Sequence, residues 1–162
     1  MNESLLTLAE VLERYTDGPK EGLFADGSSR PNPGPGGWGV VAVYNDAMVA
    51  QKHGHHPDTT NNRMELQALI HAYGMLNADS ETVIYTDSQI CVNTVNQWAA
   101  AWERRGWKRK GGPIKNLELV QELYALAQSR PRVTLRWIKA HQGNRWNEYA
   151  DALATAWVRQ EL

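Results

Sequence analysis

Four carboxylates stand at positions that a folded chain does not ordinarily give to charge. Asp26 follows the strand-like run Leu23-Phe24-Ala25, shares strand parity with Phe24 and precedes Gly27. Asp87 ends the run Val83-Ile84-Tyr85-Thr86 and starts a helical pattern. Ligand sites in α/β sheets favour such carboxyl ends of strands. Glu65 lies near the start of a helical stretch, on the face of Leu69, Ala72 and Leu76, and Asp151 lies on the face of Ala154 and Val158. Both are predicted to point toward the core, where an unpaired carboxylate costs several kcal/mol and needs a cation or strong donors. Hard oxygen ligands without cysteine or clustered histidine suit Mg²⁺ or Mn²⁺ rather than zinc.

Each acid alone has a plainer explanation. Asp87 can cap a helix, and Asp26 can be a turn residue ahead of Gly27. Glu65 can belong to a capping arrangement with Asn61 or Asn62. Asp151 can pair with Arg145 or another basic residue. Four such acids gathered by one fold are harder to explain that way.

A second signal is basic. Net charge is −1 over 162 residues, yet Arg104, Arg105, Lys108, Arg109, Lys110 and Lys115 fall within twelve residues that hold no acid. Trp107 lies among them, and Trp98 and Trp102 come just before. Whole-chain charge hides such a local field. Without the basic cluster, Trp98 and Trp102 would read as core residues at i, i+4 spacing.

The elements that must hold these groups can be read coarsely. Residues 1–20 are predicted to form a short extension with one amphipathic helix, from Leu5, Leu8, Leu12 and Tyr15, ending near Gly18-Pro19. Strands are predicted at 21–28, 38–45 and 48–54, the first two separated by the Pro/Gly-rich stretch 31–37. A helix over 62–77, a strand over 81–86, and helices over 88–104 and 116–128 follow. A strand at 133–139 and a helix at 145–160 complete the order. Three strands, then helices alternating with strands, predict a mixed five-stranded α/β sheet with helices on both faces.

Length and an apolar content of 42% suit one folded domain. No apolar run spans a bilayer, and the first residues, carrying Glu3 and Glu10, do not make a secretory signal. Cys91 is the sole cysteine, which excludes an internal disulfide and a cysteine zinc site and fits a cytoplasmic protein. No exposed apolar seam stands out, so a monomer without an obligate protein partner is expected.

Five segments together resemble the ribonucleases H of the bacterial type 1 family. They are ADGSSRPNPGPGGWG at 25–39, TTNNRMELQALI at 59–70, YTDSQI at 85–90, WIKAHQGNRWNEYADALA at 137–154, and the intervening NQWAAAWERRGWKRKGGPIKN at 96–116, which is similar to the family's basic protrusion. The resemblance covers about residues 21–160, so 21–162 is expected to be the catalytic domain, with its protrusion at about 98–116. It implies the ribonuclease H fold and hydrolysis of the RNA strand of RNA/DNA hybrids by two metal ions, Mg²⁺ with Mn²⁺ as a substitute, leaving 5′-phosphate and 3′-hydroxyl ends.

By the same resemblance Asp26, Glu65, Asp87 and Asp151 hold the metals. His141 relays protons or assists product release. Asn32, Asn61, Asn62 and Gln89 read the RNA strand through the wide minor groove. Thr60 and Asn116 take a DNA phosphate, and Trp98 and Trp102 line a deoxyribose groove. Arg104, Arg105, Trp107, Lys108, Arg109, Lys110 and Lys115 belong to the phosphate-gripping protrusion. Two alternatives are set against this. One is a DNA-directed nuclease of the same fold class, such as an integrase, transposase or junction resolvase. The other is a non-catalytic hybrid-binding module, which loss of a metal ligand would mark.

Overall fold

A computed structural model describes residues 5–162. Its five strands are β1 (Gly22–Ser29), β2 (Gly34–Tyr44), β3 (Ala47–Thr59), β4 (Thr82–Thr86) and β5 (Val133–Trp137). They form one mixed sheet in the order β3-β2-β1-β4-β5. β1 is antiparallel to β2 and parallel to β4, and β5 is parallel to β4. The helices are α1 (Leu8–Arg14), α2 (Asn61–Gly74), α3 (Gln89–Asn93), α4 (Ala99–Arg104), α5 (Leu117–Gln128), α6 (Arg145–Ala154) and α7 (Ala156–Arg159). The expected mixed sheet with two covered faces is what the chain forms.

Strand alternation divides the core. Leu23, Ala25, Val40, Ile84 and Leu135 face one side, against Leu66, Leu69, Tyr73 and Leu123 of α2 and α5. Phe24, Val41 and Val43 face the other, against Trp146, Tyr149 and Leu153 of α6 and Val11 of α1. Period-2 burial on both faces makes β1 an almost continuous buried strand.

Several boundaries differ from expectation. β2 begins at Gly34, inside the predicted separator, with a register shift between Gly34 and Gly36. β3 runs to Thr59, five residues past its predicted end, because pairing with β2 rather than apolar burial sets its length; most of it is exposed. The predicted helix 88–104 is interrupted by a π-helical turn at Thr94–Trp98 between α3 and α4. The last helix breaks at Thr155, whose hydroxyl donates back to the Asp151 and Ala152 carbonyls, both at 3.3 Å. Val158 is therefore not on the core face but 49% exposed.

The extension is ordered where it is described. α1 starts with a capping box between Thr7 and Glu10 and ends at Arg14, short of the predicted end near Gly18-Pro19. The chain then runs extended, and Asp17 pairs with Asn144 while its carbonyl accepts from the Arg145 N–H at 2.9 Å. Two further bonds fasten α1. Arg145 Nη2 donates to the Leu12 carbonyl at 2.8 Å, and the Leu8 N–H donates to Glu161 Oε2 at 3.0 Å. Residues 1–4, part of the predicted extension, lie outside the described residues.

Candidate active site

Sheet register brings the first two acids together. β1 and β4 are parallel, with Ala25 opposite Thr86 as their last pair, so the next residues, Asp26 within β1 and Asp87 just past the end of β4, emerge side by side. Glu65 comes from the opposite layer. It can reach them because Gly27 has no side chain: a Cβ there would lie 2.3 Å from the Met64 carbonyl carbon. α2 thus sits almost on β1. Ligand oxygens of Asp26, Glu65 and Asp87 lie within 4.8 Å of one another. Asp151 arrives from α6 and shares a hydrogen bond with Asp26.

The electrostatics follow from that crowding. Burial pushes the Asp26 carboxyl well above the usual range, and the charges of Asp87, Asp151 and Glu65 push it further. Burial raises Glu65 to about 7, against a hydrogen bond from Ser88. Asp87 is raised by burial, opposed by hydrogen bonds from Asn147 and Asp26. Asp151 is raised by burial, opposed by the bond with Asp26 and by the charges of His141 and Arg30. Four carboxyls that hold protons more tightly than usual compete for positive charge. Among the described residues, the group close enough together to hold an ion is made of carboxylate oxygens, so it fits a hard divalent cation.

The acids line a cleft of about 360 Å³, with Asn61, Arg30 and His141 at its edges. His141 is exposed, with φ 58°, and its Nδ1 lies 3.9 Å from Glu148 Oε1. Asp46 steadies the start of α6, accepting from the Trp146 indole at 2.8 Å and from Arg145 at 3.1 Å. The indole bond chiefly holds the Asp46 carboxyl below its usual range.

The plainer explanations can now be checked. Ser88, not Asp87, caps α3, and Thr60 caps α2. Arg145 pairs with Asp46, not Asp151. Glu65 is in no cap. Asn61 and Asn32 do have structural work: Asn61 Oδ1 accepts from the Ser29 N–H at 2.7 Å, and Asn32 Oδ1 accepts from the Asn61 N–H at 3.0 Å. These bonds tie the β1–β2 loop to the start of α2. Asn62 approaches Cys91 Sγ at 3.8 Å, and Gln89 is exposed at the start of α3.

Thr60 and Asn116 are brought together through Arg63, whose N–H donates to Thr60 Oγ1 at 3.1 Å and whose guanidinium donates to Asn116 Oδ1 at 3.0 Å. Trp98 and Trp102 lie 6.1 Å apart, centroid to centroid, and Trp98 is exposed. Trp107 instead turns inward, edge-on to Tyr124 at 6.0 Å. Arg104, Arg105, Lys108, Lys110 and Lys115 are exposed. Arg109 closes its own loop by donating to the Pro113 carbonyl.

Sequence reasoning missed Arg63, Ser88, Asn147, Glu148 and Arg30. Helical spacing was a usable signal for two of them, since Asn147 and Glu148 precede Asp151 by four and three residues. No local pattern marks Ser88 or Arg30.

The comparisons agree with the geometry. The family model described as RNase H matches residues 19–159. A ribonuclease HI of Caulobacter vibrioides is 43% identical over 143 residues, 88% of this chain and 95% of its own. A ribonuclease H of Agrobacterium fabrum is 46% identical over 133 residues, 82% and 90% of the two chains. The crystal structure of LC9-RNase H1, a type 1 RNase H with the type 2 active-site motif, is similar with a TM-score of 0.69 and 31% identity, covering 91% of this chain and 76% of that one. LC11-RNase H1, crystallised in complex with an RNA/DNA hybrid, gives a TM-score of 0.61 and 25% identity over 82% and 92%.

Proposed function

The chain belongs to the ribonuclease H family and is an endonuclease acting on the RNA of RNA/DNA hybrids, and we propose that the Asp26, Glu65, Asp87 and Asp151 cluster performs the cut with Mg²⁺, or Mn²⁺ in its place. The observation that carries the assignment is the convergence of three carboxylates, from β1, from α2 and from the residue after β4, with oxygens within 4.8 Å of one another. When bound, two divalent ions supply charge neutralisation at the phosphate and activation of water.

The chain's own groups do the rest. Asp26, central and buried, would hold the ions together with Asp87, Asp151 and Glu65, and Glu65 would also serve the RNA sugar. Ser88 and Asn147 hold Glu65 and Asp87 in place. His141 stands at the cleft edge with Glu148 3.9 Å away, placed to relay protons or to help product leave. Products carry 5′-phosphate and 3′-hydroxyl ends.

Strand choice rests on surfaces flanking the cleft. Asn32, Asn61, Asn62 and Gln89 meet the RNA strand and its 2′-hydroxyls. Thr60 and Asn116, with Arg63 between them, take a phosphate of the DNA strand. Trp98 and Trp102 receive its deoxyribose, and Arg104, Arg105, Lys108, Arg109, Lys110 and Lys115 add phosphate contacts, with Trp107 as the internal anchor of that segment. Such contacts fix position rather than sequence. No helix among the described residues is long and apolar enough to cross a membrane. We assign the protein to the cytoplasm as a monomer.

The test is direct. End-labelled hybrid, single-stranded RNA and duplex DNA are incubated with the protein in Mg²⁺, in Mn²⁺ and in EDTA. The hybrid's RNA strand alone is cut, in either metal, and EDTA abolishes cutting. Cleavage in EDTA, or equal cleavage of duplex DNA, overturns the assignment.

A further inference from the structure

Arg30 stands where two hollows meet. It lines the carboxylate cleft and also a larger cavity of about 630 Å³ whose other walls include Pro35, Trp157 and Val158. Ser28 is common to both. The backbone under Arg30 is firmly set. Its N–H donates to the Pro35 carbonyl at 3.0 Å, and the neighbouring Ser29 hydroxyl donates to the Pro31 carbonyl at 2.7 Å. The Asn61 and Asn32 bonds fasten the same loop to α2.

The side chain is not set in that way. It is exposed, and among the described residues it makes no ion pair within 4.0 Å, although four carboxylates share its cleft. A guanidinium so placed is held near a strongly negative site yet kept off its members. It is therefore available to an anion that enters with the substrate. Arg is suited to this, because its planar fork grips phosphate oxygens in pairs.

A strand whose scissile phosphate lies at the carboxylates would find Arg30 in the same cleft, and beyond Arg30 the larger cavity lined by Trp157 and Val158 of α7. We infer that Arg30 is a substrate-positioning residue that takes the RNA phosphate next to the scissile one, on the α7 side. The inference rests on the proposed catalytic cluster and adds a contact to it. The cavity beyond gives the next nucleotide room, and Trp157 and Val158 give its sugar an apolar wall.

The experiment uses the full chain with Arg30→Gln and Arg30→Lys, and two kinds of hybrid. One is unmodified. The other carries a single neutral methylphosphonate immediately 5′ or 3′ of a unique cleavage site. Arg30→Gln is expected to raise KM roughly tenfold, the scale of one charge-assisted contact, and to change kcat far less. The dependence of log KM on log salt should flatten by about one phosphate's worth. Arg30→Lys should recover most of the affinity. One of the two methylphosphonates should weaken the wild type by a similar factor and leave Arg30→Gln unaffected, whereas free phosphate should not discriminate between the proteins.

Anisotropy with uncut hybrid in EDTA gives the same comparison without turnover. Unchanged KM and salt slope in Arg30→Gln overturn the inference. So does a variant that stays sensitive to both methylphosphonates. If the wild type itself fails to cut unmodified hybrid in Mg²⁺, the catalytic assignment has failed and not this contact.

Discussion

Replacing Glu65 by Gln should make the metal-free protein more stable, and only above a definite pH. The carboxyl is raised from an ordinary 4.5 to about 7, chiefly by burial. Near pH 4 it is protonated in the folded and unfolded chains alike, so it contributes nothing to their difference. As pH rises the unfolded chain ionises first, and the folded chain holds the extra proton until about pH 7. Stability therefore falls across that window, the reverse of an ion-paired carboxylate. The gap from 4.5 to about 7, at about 1.4 kcal/mol per pH unit, gives a penalty on the order of 3 kcal/mol at pH 8. Gln keeps the shape and the bond from Ser88 but has no charge to bury. For a domain of this size the gain corresponds to roughly 6–12 °C in Tm. The assay is thermal unfolding in EDTA by circular dichroism, wild type against Glu65→Gln, at half-unit steps from pH 4 to pH 8. The Tm difference should be near zero at pH 4 and widen toward pH 8. Saturating Mg²⁺ should narrow it by stabilising the wild type more. A difference that stays flat with pH would refute the burial argument, and a less stable variant at pH 8 would reverse its sign.

Asp26→Asn and Asp87→Asn should each lower hybrid turnover by at least about 10³-fold, as charge is lost from the metal site, while Tm stays level or rises; wild-type turnover in either removes the site assignment. His141→Ala should keep KM and lower kcat by roughly 10²-fold, one proton-transfer group's usual contribution, and an unchanged rate from pH 6 to 9 would return the residue to an ordinary surface role. Gly27→Ala should destabilise the fold by about 1–3 kcal/mol, since α2 must move off β1, and should weaken Mg²⁺ binding with it; urea unfolding identical to wild type would contradict the close approach. Replacing Arg104, Arg105, Lys108 and Arg109 by Ala should raise KM and flatten its salt dependence, with kcat at saturation little changed. Superimposable salt lines would show that the segment touches no phosphate.

Strand parity made Asp26 legible, because a carboxylate in step with Phe24 has to enter a packed layer. The end-of-strand position of Asp87 was legible for the same kind of reason. Their adjacency was not, since it depends on the parallel pairing of β1 with β4, which joins segments some sixty residues apart. Glu65 was readable as a misplaced acid, but its reach to Asp26 depends on the contact of Gly27 with Met64, and no periodicity encodes that. Helical periodicity ran past real ends. It carried one helix through the π-turn at 94–98 and another through Thr155, because side-chain spacing does not register a shift in backbone bonding. Arg63 and Ser88 escaped notice because their partners, Asn116 and Glu65, lie on other elements.

The fastening of α1 has a temporal side. Leu8 is bonded to Glu161 and Leu12 to Arg145, pairs separated by 153 and 133 residues. On a ribosome the first members emerge long before the second, so Val11 can join Phe24, Val41 and Val43 of the sheet but not Trp146, Tyr149 and Leu153 until α6 is free. Asp151 lies on that same helix. A nascent chain that already displays Asp26, Glu65 and Asp87 still lacks the fourth acid and the residues that brace its helix. The order of elements alone thus sets the timing: the acid set is complete only once α6 has joined the sheet.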